Sequence, residues 1–249
     1  MTDPLHQFQI HVLAPLFRIG SLQFNFTNAA VFMLLIVALV CTVLYAAFAK
    51  PELVPSRLQS VGEVWYEFVH NMVRQVMGED GMKFFPLVFT IFSFVLVANM
   101  LGMFPYFFTV TSHVIVTAAL AVFIILLVIT VGLMRHGLGW FRLFVPHGVP
   151  VVILPFISAI EIISFLSRPI SHSVRLFANM LAGHITLKVF GGFVVMLLGA
   201  GTTFSWLAPL PLAMAVALTA LEFLVAFLQA YVFTMLTCMY LNDALHPGH

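Results

Sequence analysis

Charged residues are scarce in this sequence. They make up 8% of its 249 residues, while 62% are hydrophobic, and a soluble domain carries about 25% charged residues. So low a charge content excludes an ordinary soluble domain and predicts an integral membrane protein. The few cations are scattered rather than gathered in a basic patch, so we expect no nucleic-acid partner.

Cysteines and hydrolase motifs are also few or missing. Cys41 and Cys238 both lie in apolar runs, where cysteine behaves as a small hydrophobic residue, so we predict no disulfide. The chain has neither H-E-x-x-H nor G-x-S-x-G, which argues against an intramembrane protease. It also lacks an internal repeat, so the inverted symmetry of many secondary transporters has no support.

Apolar runs of membrane-spanning length dominate the chain, because a helix needs about 20 apolar residues to cross a bilayer. The predicted spans are residues 29–49, 84–104, 114–134, 148–198 and 212–241. The fourth would be about 75 Å long as a straight helix, against a hydrocarbon core of about 30 Å. We therefore expect the fourth helix to be bent or strongly tilted and the last helix to be long and tilted as well. The short loop between them predicts an antiparallel pair. The predicted fold is a single all-α membrane domain over residues 1–249.

Residues 56–77 carry too many charges to span a membrane. Their apolar residues recur every three or four positions, which is typical of an amphipathic helix. We expect this helix to lie in the membrane interface, with Trp65 and Tyr66 at headgroup depth.

Lysine and arginine flank the predicted spans unevenly. Six lie in the segments 50–83 and 135–147, namely Lys50, Arg57, Arg74, Lys83, Arg135 and Arg142. The N-terminal segment 1–28 holds only Arg18. By the positive-inside rule the side with six cations is cytoplasmic, or matrix-facing in a mitochondrion. This places the N-terminal segment outside and the C-terminus inside.

Polar residues inside the fourth span need a reason, because an ionisable residue at bilayer depth costs about 2.5–3.5 kcal/mol. Glu161, Arg168 and Arg175 follow one another at intervals of seven residues, close to two helical turns. His172 and Asn179 share their side of the helix, so these residues form one polar stripe.

A second polar face lies further along the same span and is matched on the last helix. His184 shares it with Lys188, while Glu222 and Gln229 are seven residues apart on the last helix. In an antiparallel pair, residues at equal depth have a constant sum of residue numbers. The sums for Arg175 with Gln229 and for His184 with Glu222 differ by two, so one register aligns both pairs.

Some of these residues also have a purely structural interpretation. Arg168 can form an ion pair with Glu161, and Lys188 can extend toward the outer interface. Asn99 and Gln229 can be interhelical hydrogen-bonding residues. Loop histidines, among them His113, are interpreted as solvated surface groups.

The remaining residues suggest a gated proton route. A guanidinium keeps its proton, so Arg175 holds a fixed positive charge without carrying a proton itself. His184 and Glu222 both titrate and can pass protons along a water-filled cleft. No acid of this chain lies at the predicted depth of Arg175, which points to a partner on another protein. We predict neither a metal site nor a cofactor.

Three runs carry a family resemblance. They are RLFANMLAGH at 175–184, NMLGMFP at 99–105 and LQAYVFTML at 228–236, and they resemble subunit a of the rotary F-type ATP synthase. The resemblance covers nearly the whole chain in the order of its spans. It implies a non-catalytic stator subunit in a bacterial inner membrane, with a mitochondrial inner membrane as the second choice. It also implies two partners, a c-type rotor ring and a peripheral stalk of the subunit b type.

The resemblance also implies roles for single residues. Arg175 matches the essential arginine that faces the rotor ring and prevents a short-circuit, with Asn179 and Gln229 as its polar neighbours. His184 and Glu222 match the pair of the proton inlet, and Glu161 matches an acid of the outlet. Four further residues are assigned possible accessory roles: Lys188, Arg168, His172 and Asn99. Protons would use two offset half-channels.

Two rival interpretations remain open at this stage. In the first, the chain is a stand-alone proton-coupled transporter whose intramembrane Arg and Glu bind an anionic substrate. In the second, His172 and His184 bind a haem.

Overall fold

The computed structural model describes residues 12–19, 22–49, 51–104, 107–144, 153–199, 201 and 204–246. In this part of the chain a hairpin precedes six α-helices: β1 (Val12–Ile19), β2 (Leu22–Thr27), α1 (Asn28–Phe48), α2 (Arg57–Met77), α3 (Phe85–Gly102), α4 (Val114–His136), α5 (Leu154–Gly199) and α6 (Pro209–Leu245). All of these helices except α2 are long and apolar enough to cross a membrane. This confirms the predicted all-α membrane fold with five crossing helices.

Several predicted features fall outside the described residues. They are residues 1–11, the start of the fourth span at 148–152, Pro105, Lys50, and the side chains of Arg18 and Arg142. The membrane orientation, which depends on counting these cations, stays a prediction.

The β-hairpin was not predicted. Its strands pair antiparallel, with Phe17 opposite Phe24 and Ala14 opposite Phe26. In β2 the apolar residues Leu22, Phe24 and Phe26 alternate with polar ones, which is the two-residue period of a strand. The alternation covers only six residues of the segment 1–28.

The last two helices begin or end at different residues than predicted. Helix α6 begins at Pro209 rather than at residue 212 and ends at Leu245 rather than at 241. A proline fits the first turn of a helix, where its missing N–H is not needed. At the other end the polar residues Asn242 and Asp243 continue the helix instead of ending it. Helix α5 runs unbroken through Pro169.

Helix α2 has a defined start and end. Ser56 caps its N-terminus, because its hydroxyl accepts a hydrogen bond from the Gln59 backbone N–H at 3.3 Å. Gly78 ends it with a φ of 66°, a left-handed value that glycine adopts without strain. Its place in the membrane interface stays a prediction.

The chain forms two compact units, and four helices contribute residues to both. The first unit comprises Met1–Cys41, Phe94–His113 and Leu176–Ala230. In its core Val95, Leu176, Met180 and Ala226 are at most 1% exposed.

The second unit comprises Thr42–Ser93, Val114–Arg175 and Tyr231–His249. Helix α2 contributes Val69 and Val73 to its core, α3 contributes Phe92 and α4 contributes Val128, all at most 1% exposed. Between α5 and α6, Arg168 contacts Asp243 and His172 contacts Phe233. The later of these two α5 residues contacts the earlier of the two α6 residues, so the two helices run antiparallel here, as predicted.

Candidate functional site

A buried histidine and a buried glutamate meet in the first unit. His184 of α5 places its Nδ1 4.0 Å from Oε1 of Glu222 on α6, and the two side chains are 11% and 8% exposed. Within the described residues, neither carboxylate oxygen of Glu222 has a hydrogen-bond partner. The two residues predicted as a pair thus lie next to each other, and in the described part of the chain no hydrogen bond holds the glutamate.

Gly183 makes this close approach possible. A Cβ at position 183 would overlap Oε1 of Glu222. Only glycine leaves room for the carboxyl group against the backbone of α5, so the glycine beside His184 is part of the site.

Thr109 touches the pair from a third element and was missed. It lies just before the single turn Val110–Ser112, and its hydroxyl is 3.1 Å from Nε2 of His184. The same hydroxyl donates to the Gly102 carbonyl oxygen at the end of α3, at 3.3 Å. No sequence pattern predicts this contact, because the loop that carries Thr109 has no periodicity.

Asn99 fixes α6 close to the pair. It is fully buried, and its Nδ2 donates to the carbonyl oxygen of Ala226 at 3.2 Å. Ala226 lies one helical turn from Glu222. Of the interpretations left open for Asn99, the structure shows the interhelical hydrogen bond.

His113 differs from its prediction. It stacks on Phe108 with ring centroids 4.8 Å apart, and burial lowers its pKa from the usual 6.5. The prediction of a solvated surface group is wrong for His113, because an aromatic loop covers it.

Arg175 lies in an exposed position on α5. In the same unit its helix exposes a row of apolar side chains at three- and four-residue steps, including Ile163, Ile170 and Val174. Asn179 is also exposed, whereas Gln229 is buried with 7% of its surface accessible. Arg175 and Gln229 belong to different units, and their opposition stays a prediction.

Arg168 has a different partner from the one considered. Its guanidinium donates to Oδ2 of Asp243 at 3.0 Å and lies over the ring of Tyr240, with Cζ 4.8 Å from the centroid. Arg168 therefore pairs with Asp243 on α6 and not with Glu161. Glu161 is half-buried.

His172 has a packing contact. Its Nε2 is 3.1 Å from the Phe233 carbonyl oxygen, its ring lies 4.0 Å from that of Phe233, and the residue is 3% exposed. Lys188, one turn beyond His184, is half-buried. In the described ranges no three His, Cys, Asp or Glu side chains gather as metal ligands.

The first unit therefore holds a titratable pair, and the second unit, taken by itself, holds the fixed cation Arg175. His184 and Glu222 can each take up and release a proton, and they lie close enough to exchange one through a small side-chain movement or a bridging water. Arg175 cannot release its proton at physiological pH. Its exposed position beside apolar side chains suits contact with a helix of another membrane protein.

Comparison with known proteins gives a consistent result. The sequence model of the family described as "ATP synthase A chain" matches residues 30–242. A protein of Chelativorans sp. described as "ATP synthase subunit a" is 63% identical over 248 residues, which is 100% of this chain and 99% of that protein. Proteins with the same description from Mesorhizobium japonicum and Afipia carboxidovorans are 62% and 59% identical, and each alignment covers at least 98% of both chains.

Proposed function

The chain belongs to the ATP synthase A chain family, and from this premise we propose a mechanism by which its residues move protons. Family and fold make it a non-catalytic, proton-translocating, multi-pass protein of a bacterial inner membrane. We propose that it forms two offset half-channels beside a rotor ring. A proton enters through one, neutralises a ring carboxylate, travels with the ring and leaves through the other.

The observation that carries this proposal is the buried pair of His184 and Glu222. A charged carboxylate that is only 8% exposed, with no hydrogen-bond partner in the described part of the chain, is costly to keep for structural reasons alone. Its use as a proton acceptor beside a histidine accounts for its presence. We assign the pair to the inlet on the outer side.

Arg175 is assigned the separation of the two half-channels. At about 4 Å and an effective dielectric of about 20, a guanidinium attracts a carboxylate by about 4 kcal/mol. An arriving ring carboxylate would thus be stabilised in its ionised form and give up its proton. Because the cation blocks a direct proton path, proton flow is coupled to rotation. Asn179 and Gln229 are assigned as its polar neighbours.

Glu161 is assigned to the outlet because the family resemblance matches it to an acid there. The driving free energy is about 2.3 kcal/mol per proton for each 100 mV. The proposed partners are a c-type ring on the exposed side of Arg175 and a peripheral stalk of the subunit b type. The proposed orientation has the N-terminal segment outside and the C-terminus in the cytoplasm.

The experiment that tests this function replaces Arg175 in the complete complex. In reconstituted vesicles we expect Arg175→Ala to abolish ATP-driven proton pumping while ATP hydrolysis and assembly persist. Arg175→Lys keeps a charge, but it should not restore coupled synthesis, because a desolvated lysine can lose its proton. Normal pumping by the alanine variant would overturn the mechanism. Substrate uptake by the purified chain alone would favour the stand-alone transporter instead.

A further inference from the structure

We propose that Thr109 is a positioning residue that fixes the tautomer of His184 and thereby turns the lone pair of Nδ1 toward Glu222. This inference rests on the proposed function of the His184–Glu222 pair as the proton inlet. All of the residues involved belong to the first unit.

Thr109 is held firmly by the loop that follows α3. It is 1% exposed. Its carbonyl oxygen accepts hydrogen bonds from the Ser112 hydroxyl at 2.7 Å and from the Ser112 backbone N–H at 3.2 Å. The loop therefore presents the Thr109 side chain to α5 from a fixed position.

The hydroxyl of Thr109 has one proton and two polar neighbours. The Gly102 carbonyl oxygen, at 3.3 Å, can only accept, and it lies in the last turn of α3, where carbonyl oxygens lack a partner within the helix. Nε2 of His184, at 3.1 Å, donates in one tautomer and accepts in the other. Both contacts are satisfied only when Thr109 donates to Gly102 and His184 Nε2–H donates to Thr109.

This arrangement decides which nitrogen of His184 exchanges the proton. A neutral imidazole has one N–H, so a proton on Nε2 leaves the lone pair on Nδ1. Nδ1 is the nitrogen that faces Oε1 of Glu222 at 4.0 Å. A proton leaves Oε1 of Glu222 for Nδ1 and returns from Nδ1 to the same carboxylate, so the two groups share one proton. The bond to Thr109 persists throughout, because the imidazolium donates from both nitrogens.

Removal of the hydroxyl should populate the wrong tautomer. With valine at position 109, the Nε2 proton loses its acceptor and the form protonated on Nδ1 competes. In that form Nδ1 cannot accept from Glu222. A neutral hydrogen bond corresponds to about a threefold to tenfold change in the ratio of the two tautomers. We expect proton-coupled ATP synthesis to fall with the remaining fraction of the Nε2–H form, about twofold for an equal mixture.

The pH dependence separates this role from simple packing. Among the described residues, Glu222 on α6 and Lys188 on its own helix are charged groups near His184, and Thr109→Val changes neither. The imidazolium also loses an acceptor in this variant, so the dependence of synthesis on the outer pH should shift toward acid. Thr109→Ser keeps the hydroxyl and should retain the wild-type profile.

The test uses the complete ATP synthase in proteoliposomes, with synthesis measured against the pH on the inlet side. We expect Thr109→Val to be slower and acid-shifted and Thr109→Ser to stay close to wild type, with ATP hydrolysis unchanged. Nitrogen-15 solid-state NMR, with the His184 signal identified by its loss in His184→Gln, should show Nε2–H in the wild type and in the serine variant. The valine variant should show a mixture of both tautomers.

A second variant guards against a valine protein that fails to assemble. A Cβ at Gly102 would lie 2.7 Å from Cγ2 of Thr109, so Gly102→Ala should displace the hydroxyl. The double variant with Thr109→Ser lacks that methyl group and should recover the activity and the tautomer.

The outcomes are distinguishable from those of the proposed function. Valine and serine variants that agree in rate, pH profile and tautomer would overturn the inference, even if Arg175→Ala remained unable to pump. Conversely, normal pumping by Arg175→Ala would overturn the function. The NMR tautomer would then still report directly whether Thr109 orders His184.

Discussion

Nδ1 of His184 on α5 lies 4.0 Å from Oε1 of Glu222 on α6. This distance exceeds that of a direct hydrogen bond, so proton exchange requires a small side-chain rotation or one bridging water. Both groups titrate, and neither role depends on which helix carries which group. The pair should therefore act as a unit.

The first prediction concerns an exchange of the two residues. We expect the double variant His184→Glu with Glu222→His to retain more proton-coupled ATP synthesis than either single variant. Each single change leaves two like groups facing each other, whereas the double change restores one histidine and one carboxylate. Synthesis rates of all three variants in the same vesicle preparation form a double-mutant cycle.

One outcome of the double-mutant cycle would contradict the pairing of His184 with Glu222. A double variant no more active than the singles would show that the two side chains do not act as a pair. Assembly of each variant is checked by the amount of this chain that co-purifies with the complex, because a lost complex would also lower synthesis.

Helix periodicity explains why this pair was predictable. Seven-residue spacing puts side chains on one face of a helix, and in an antiparallel pair residues at equal depth have a constant sum of residue numbers. His184 and Glu222 could therefore be matched by number alone. The fold class followed in the same way from the length of the apolar runs. Neither inference needed a three-dimensional contact.

Contacts made by loops and helix ends were not predictable in this way. Thr109 lies in a loop with no period, and its approach to His184 depends on how that loop folds back. Asp243 was missed because the last helix was expected to end at residue 241, before the polar residues that prolong it. The hairpin strands were too short to stand out in a mixed segment.

The second prediction concerns the ion pair between Arg168 and Asp243. Its side chains are 22% and 39% exposed, so solvent screens the pair, and we expect it to contribute about 1 kcal/mol. The rings of Tyr240 and Phe165, whose centroids lie 4.8 Å and 5.5 Å from Cζ of Arg168, add a cation–π contribution. Arg168→Met should therefore lower the melting temperature of the purified complex more than Asp243→Asn does.

A surface ion pair on the same unit is the matched control. Arg135 and Asp80 are 3.7 Å apart with side chains 42% and 56% exposed. Asp80→Asn should leave the melting temperature unchanged. If Arg168→Met and Asp80→Asn proved equally harmless, the contacts of Arg168 with Asp243 and the two rings would not stabilise the fold.

The third prediction concerns Gly183, the residue against which the Glu222 carboxyl group packs. Alanine is favoured over glycine inside a helix by about 1 kcal/mol, so Gly183→Ala should not harm α5 itself. Its Cβ would nevertheless overlap Oε1 of Glu222 and push the carboxyl group away from His184. We expect proton-coupled synthesis to fall by about tenfold or more, because displacement of a reacting group slows its reaction steeply. ATP hydrolysis should be kept.

Helix α5 supplies its own control for this change. A Cβ at Gly191 or Gly192 would meet nothing within 4 Å, so Gly191→Ala should leave synthesis unchanged although it alters the same helix in the same way. Adding Glu222→Asp to Gly183→Ala shortens the side chain and relieves the overlap, so the double variant should exceed Gly183→Ala alone. Equal losses from Gly183→Ala and Gly191→Ala would instead trace the defect to the helix backbone, and the close packing of Gly183 against Glu222 would have no part in proton transfer.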